Sequence, residues 1–170
     1  MKFTPQSISD VILIEPTVHG DERGYFMESF KQDVFENALG YKVNFIQDNE
    51  SKSTKGVLRG LHYQLPPYAQ AKLVRVVKGS VLDVAVDIRQ NSNTFGQYVS
   101  LVLSEENKKQ LFVPRGFAHG FIVLSKEAIF SYKVDNKYTP QHEHTMLWND
   151  IDLDIDCHLD DIMPSLSDKD

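Results

Sequence analysis

A chain of 170 residues, 41% hydrophobic and 25% charged, is long enough to bury a core without staples, and one domain spanning 1–170 is expected. Its net charge of -6 excludes general attraction to nucleic acid or an anionic membrane, so any phosphate needs a local cluster of cations. The single Cys157 excludes an internal disulfide, and the longest apolar run near the start, 11–14, suits neither a signal peptide nor a membrane span; a cytoplasmic protein is expected.

In chain order, residues 11–14 read as an early strand, 19–24 as a turn-rich loop and 25–30 as an extended piece. Residues 32–39 predict a helix, with Val34, Phe35, Ala38 and Leu39 on one stripe and Gly40 at the C-terminal cap position. From residue 43 on, the period is mostly two. Residues 57–72 read as strand, rigid turn and strand, because Pro66-Pro67 fits neither a helix interior nor a central strand. Residues 80–89 put Leu82, Val84, Val86 and Ile88 on one face and Asp83, Ala85 and Asp87 on the other. A turn over 91–96 leads to a strand over 98–103, and Ser104 opens a capped helical turn. Strands follow at 120–124 and 128–134, the second with Ala128, Phe130, Tyr132 and Val134 on one face. Many short strands punctuated by Gly and Pro predict a β-sandwich or barrel with minor helix. From Tyr138 on, the pattern specifies no element.

The chemistry concentrates in residues 57–72, where Arg59 precedes His62 and Lys72 follows it. An imidazole with an ordinary pKa of about 6.5 can take and return a proton near neutral pH. His62 is either such a base or a strand histidine bonded for structure. Lys72 suits an oxyanion and Arg59 a phosphate, although either alone is more often a solvated charge. Tyr132 reads as a core tyrosine, or as a proton donor where its strand face lines a cavity. His119 reads as a second proton carrier, an orienting group or a buried structural imidazole. His142 and His144 have the spacing of a metal pair on a strand, but no further ligands surround them in sequence, and a polar loop is the plainer reading. Gly-rich phosphate loops, CxxC and GxSxG are absent.

Several segments together resemble the dTDP-4-dehydrorhamnose 3,5-epimerases of the cupin superfamily. They are GDERG at 20–24, FIQDN at 45–49, LRGLHYQ at 58–64, KLVR at 72–75, DVAVDIR at 83–89, PRGFAHGF at 114–121, Tyr132-Lys133 and WND at 148–150. The resemblance runs from about Ile12 to Asp170. It implies an all-β, cupin-type jelly-roll β-barrel with a few short helices, working as a homodimer with neither metal nor organic cofactor. The implied reaction inverts C3 and C5 of dTDP-4-dehydro-6-deoxy-D-glucose through an enolate. Carried over by motif, His62 is the implied base, Tyr132 the acid, Lys72 the enolate stabiliser and Asp170 the partner of His62, with Asp83 as the fallback. The implied nucleotide-sugar contacts are Arg23, Glu28, Gln47, Asp48, Asn49, Arg59, His119, Glu143 and Lys169. The segment from Arg23 to Glu28 is implied to reach the neighbouring subunit's site. Metal-binding cupins carry HxH on the first barrel motif, whereas this chain has His62-Tyr63-Gln64. Cys157-His158 departs from the tryptophan and proline usual there. The alternatives are a mono-epimerase or ketoisomerase on the same fold, a metal-dependent cupin oxygenase, and a non-catalytic sugar-nucleotide binding module.

Overall fold

Residues 80–87 show why this chain builds two facing sheets. Leu82, Val84 and Val86 turn one way and pack with Leu58, Leu61, Ala118 and Ile122. Ala85 turns the other way, into a core with Val74, Val76, Leu111, Phe121 and Phe130. A strand with apolar partners on both faces belongs in the middle of a sheet, and this one, β8 (Ser80–Asp87), does lie there. The structure is a computed structural model and describes residues 1–157 and 162–170. His158 lies outside the described residues.

Strands are numbered in chain order. One sheet has six strands in the order β1 (Lys2–Pro5), β2 (Ile12–Glu15), β10 (Gln110–Val113), β7 (Lys72–Lys78), β12 (Glu127–Val134) and β5 (Gln47–Thr54). The second has five, in the order β13 (Glu143–Thr145), β6 (Leu58–Gln64), β11 (Phe117–Val123), β8 and β9 (Tyr98–Ser104). Neighbouring strands within both sheets are antiparallel. The sheets stack as an all-β jelly roll, as expected, but the ladder does not run from one to the other. The expected barrel is therefore an open pair. The edge strand β5 is polar along its length and ties Lys52 to Glu127 at 2.8 Å, which suits an uncovered edge.

Each outer face has its own cover. The predicted helix is found as α1 (Gln32–Leu39), ended by Gly40 at φ 79° with its N–H on the Glu36 carbonyl. Its Phe35 meets the rings of Phe30, Phe45 and Phe112 and closes the six-stranded sheet on that side. The five-stranded sheet is covered by the stretch after β13, through Met146, Trp148, Leu153 and Ile155.

One local expectation is corrected and another is met. Residues 19–24 are not simply a loop: β3 (Val18–Asp21) and β4 (Gly24–Met27) pair as a hairpin. Nearly all of its side chains are exposed, Phe26 at 68%, so burial imposes no alternation on this sequence. After β9, Ser104 and Asn107 do bond reciprocally, at 3.1 and 3.0 Å. The Lys108 amide closes the expected helical turn on the Ser104 carbonyl at 3.1 Å, and Lys108, at φ 55°, ends it there.

Asp87, fully buried at the end of β8, is satisfied by its neighbours. It accepts bonds from the Arg89 guanidinium and from the Ser92 and Thr94 hydroxyls. Burial alone would raise its pKa; these donors outweigh it and hold the carboxyl far below the usual range. Arg89 also reaches Asp10 at 2.8 Å and covers the Phe117 ring. The DVAVDIR segment thus contains one structural clamp, Asp87, and a second buried carboxylate, Asp83, that faces inward.

Candidate active site

Strict alternation would place Arg59 and His62 on opposite faces of β6. The pairing of β6 with β11 contains an irregularity instead, with His62 opposite His119 but Arg59 opposite Phe121. Three residues on one strand therefore span two on the other, and both Arg59 and His62 line the cavity between the sheets. Glycine permits this. Gly60 has φ 128°, and a Cβ there would sit 2.5 Å from the Gly120 Cα.

The cavity, of about 220 Å³, has two chemically different walls. The five-stranded sheet supplies His62, His119 and Arg59, with Glu143 from its edge. The six-stranded sheet supplies Lys72 and Tyr132 from the neighbouring strands β7 and β12. Chain end residues Lys169 and Asp170 complete the rim. This end is laid against β6 by the Leu58 and Ser165 amides, which donate to the Ser165 and Gly56 carbonyls.

His62 is held at both nitrogens, Nε2 at 2.7 Å from Asp170 Oδ1 and Nδ1 at 3.1 Å from Thr145 Oγ1. Burial pushes the Asp170 carboxyl up, but bonds from the Ser167 hydroxyl, the Gly60 and Ser167 amides and His62 outweigh it and keep the group below its usual range. An anion facing an imidazole fixes the ring and steadies its charged form. The fallback partner Asp83 serves the other histidine: it is fully buried and meets His119 Nε2 with both oxygens at 3.0 Å.

Burial lowers the Lys72 pKa to about 8, while the Asp83 and Glu143 carboxylates pull it partly back. At neutral pH the group is a cation at the cavity wall. Burial also raises the Tyr132 hydroxyl, Arg59 opposes this and Glu143 adds to it, so the phenol stays protonated. Glu143 accepts from the Tyr138 hydroxyl at 2.8 Å and lies 3.9 Å from Lys169 Nζ.

Eight of the thirteen residues singled out in the sequence therefore share one cavity: His62, Tyr132, Lys72, Asp170, Arg59, His119, Glu143 and Lys169. Gln47 and Asn49 continue the inward face of β5 beyond Ser51, opposite Val134 and Tyr132, and bond to each other. Asp48 points to the other side of that sheet and holds Lys133 at 2.8 Å. Arg23 sits at the exposed turn of the β3–β4 hairpin, paired with Asp21, and Glu28 is exposed just past it. Within one chain these two stand apart from the cavity lining. His142 and His144 meet separate rings: His144 stacks on Tyr63, and His142 lies tilted at 55° against Tyr68. Sequence reading missed Ser51 and Ser167 in the lining and Thr145 on His62. Ser51 had a readable signal, since it shares β5's period with Gln47 and Asn49; Thr145 had none, lying in a stretch without an assigned element.

A jelly roll with a histidine–carboxylate pair on one wall and a tyrosine and lysine on the other defines a protein built for proton transfer on a polar ligand. The family model for dTDP-4-dehydrorhamnose 3,5-epimerase matches residues 5–170, and the chain belongs to that family. It is 60% identical over 170 residues to the dTDP-4-dehydrorhamnose 3,5-epimerase of Shigella flexneri, covering 100% of this chain and 93% of that protein. The Pseudomonas aeruginosa enzyme of the same name is 56% identical, with the same coverage. Among solved structures, an epimerase from Legionella pneumophila in complex with dTDP-4-keto-L-rhamnose is similar, with a TM-score of 0.95 and 49% identity over 99% of this chain and 88% of that one. A 3'-monoepimerase from Streptomyces bikiniensis, in complex with dTDP-quinovose, is similar at a TM-score of 0.91 and 36% identity, over 97% and 83%.

Proposed function

We propose that this chain inverts C3 and C5 of dTDP-4-dehydro-6-deoxy-D-glucose to give dTDP-4-dehydro-L-rhamnose, in the cytoplasmic making of dTDP-L-rhamnose, with 1–170 acting as one epimerase domain. One observation carries this reading: His62 and Tyr132 stand on facing sheets, on opposite walls of one cavity. Inversion at a carbon requires removal of a proton from one face and its return on the other. A sugar ring lying between the sheets meets both requirements.

C3 and C5 both flank the C4 ketone, so each C–H is acidified by the same carbonyl. His62 takes the proton, and the electron pair of the C–H bond moves into the C4 carbonyl as an enolate. Lys72 stabilises the oxygen of that enolate. Tyr132 then delivers its proton to the opposite face of the carbon, and the enolate collapses to the ketone. The imidazolium and phenolate left behind exchange with solvent before the second centre turns. A preorganised cation in a sheltered cavity is worth more to a developing oxyanion than one in water.

Arg59, His119, Glu143 and Lys169 are the contacts for the nucleotide sugar, with Gln47 and Asn49 of the edge strand beside them and Asp48 on the other side of that sheet. The exposed aromatic tip of the hairpin, Tyr25 at 57% and Phe26 at 68%, supports a homodimer in which Arg23 to Glu28 enter the partner's site. Light scattering should then give about twice the chain mass of 19.4 kDa. A fully active species of single-chain mass would end that assignment.

Incubation of purified protein with the 4-keto sugar tests the function, with product stereochemistry read from ring-proton couplings. The rate should fall as pH rises through about 8, because Lys72 then loses the charge that stabilises the enolate. Substrate recovered unchanged throughout would refute the reading. A single-centre epimerase is the second reading, favoured by the similar Streptomyces structure, and the number of inverted centres separates the two.

A further inference from the structure

Thr145 stands opposite His62 in the pairing of β13 with β6. Its hydroxyl meets two groups, His62 Nδ1 at 3.1 Å and the Lys169 carbonyl at 3.0 Å. A carbonyl only accepts, so the single hydroxyl hydrogen lies on the Lys169 oxygen. Thr145 Oγ1 then has only lone pairs to offer, and Nδ1 is the donor. At the other end of the ring Nε2 faces the Asp170 carboxylate at 2.7 Å and is also a donor. In this arrangement both nitrogens carry hydrogen and the ring is an imidazolium. When the ring is neutral, Nδ1 holds the lone pair that must take the carbon proton, and the hydroxyl stays on the Lys169 carbonyl.

We propose that Thr145 is a positioning residue for this reaction: its hydroxyl, anchored by the Lys169 carbonyl, stabilises the protonated form of His62 that exists after the carbon proton has been taken. The proposal rests on the reading of His62 as the base. Other charged groups share the surroundings of the ring without bonding to Nδ1. On the same wall these are Arg59, His119 and Glu143, with Lys169 and Asp170 from the chain end. Lys72 and Tyr132 face the ring from the other sheet, and Asp83 is spent on His119. Thr145 is the partner of Nδ1 among the described residues. It also makes the base sensitive to the chain end, since Lys169 supplies the carbonyl and Asp170 the carboxylate.

Thr145→Val keeps the size and β-branching of an exposed strand residue while removing the hydroxyl. A bond from a charged donor is roughly twice as strong as its neutral counterpart, so losing it weakens the imidazolium more than the neutral ring. The acidic limb of kcat/KM for the 4-keto sugar should therefore move to lower pH by roughly half to one unit. The ¹⁵N signals of the His62 ring should show less Nδ1 protonation at a fixed pH near neutrality. Thr145→Ser should restore both. An unmoved ring signal in Thr145→Val overturns the proposal, and so does a serine variant that behaves like valine. A ring signal that moves while the kinetic limb stays put supports the role of Thr145 and overturns His62 as the base.

Discussion

His62→Ala is expected to abolish exchange of the C3 and C5 hydrogens with solvent and to lower turnover by about 10²–10⁴-fold. Both losses follow from one removal, because in the proposed reaction a single imidazole serves both carbons. The variant leaves Asp170 with its Ser167 and Gly60 bonds, so the chain end keeps most of its anchoring. It also leaves Arg59, Lys72 and Glu143 in the cavity, so binding of dTDP should survive. That separation of lost chemistry from retained binding is what marks a base. Full-rate exchange in the variant, measured on protein with an unchanged melting temperature, removes His62 from the mechanism.

Tyr132→Phe should differ in kind. The ring still packs beside Phe130, with centroids 6.0 Å apart, and only the hydroxyl is gone. His62 can still take a proton, trade it for a solvent deuteron and return it to the same face. Exchange should continue while inversion falls by about 10²–10⁴-fold. The fall would come from loss of the proposed acid on the far wall, which burial keeps protonated in the native chain. Inversion at the native rate would mean that another group, or water, delivers the second proton.

The sequence made the helix and the faces of β8 readable because both rest on burial, which imposes a period. It did not reveal the β3–β4 hairpin, whose side chains have no core to alternate against. Nor did periodicity lead to the site. Counting alternate residues separates Arg59 from His62, and only the irregularity at Gly60 and Gly120 returns them to one wall. The two carboxylates were distinguishable in part. Asp83 lies on the inward face of its strand in either description, but its partner depends on which strand neighbours it, and that is β11 with His119. Asp170 reaches His62 from 108 residues away, by way of a chain end pinned along β6. The motif resemblance supplied what periodicity did not, since it assigned His62, Tyr132, Lys72 and Asp170 to one place. The geometry adds the division between walls. Arg59, His62 and Lys72, near neighbours in sequence, belong to two sheets.

The central claim is that one cavity removes and returns protons at two carbons, from opposite faces. Incubating the protein with dTDP-4-dehydro-6-deoxy-D-glucose in D₂O and following C3 and C5 by NMR tests it most directly. The account predicts deuterium at both carbons, each with inverted configuration. Deuterium at neither carbon would contradict it outright, and deuterium confined to one would contradict the double inversion.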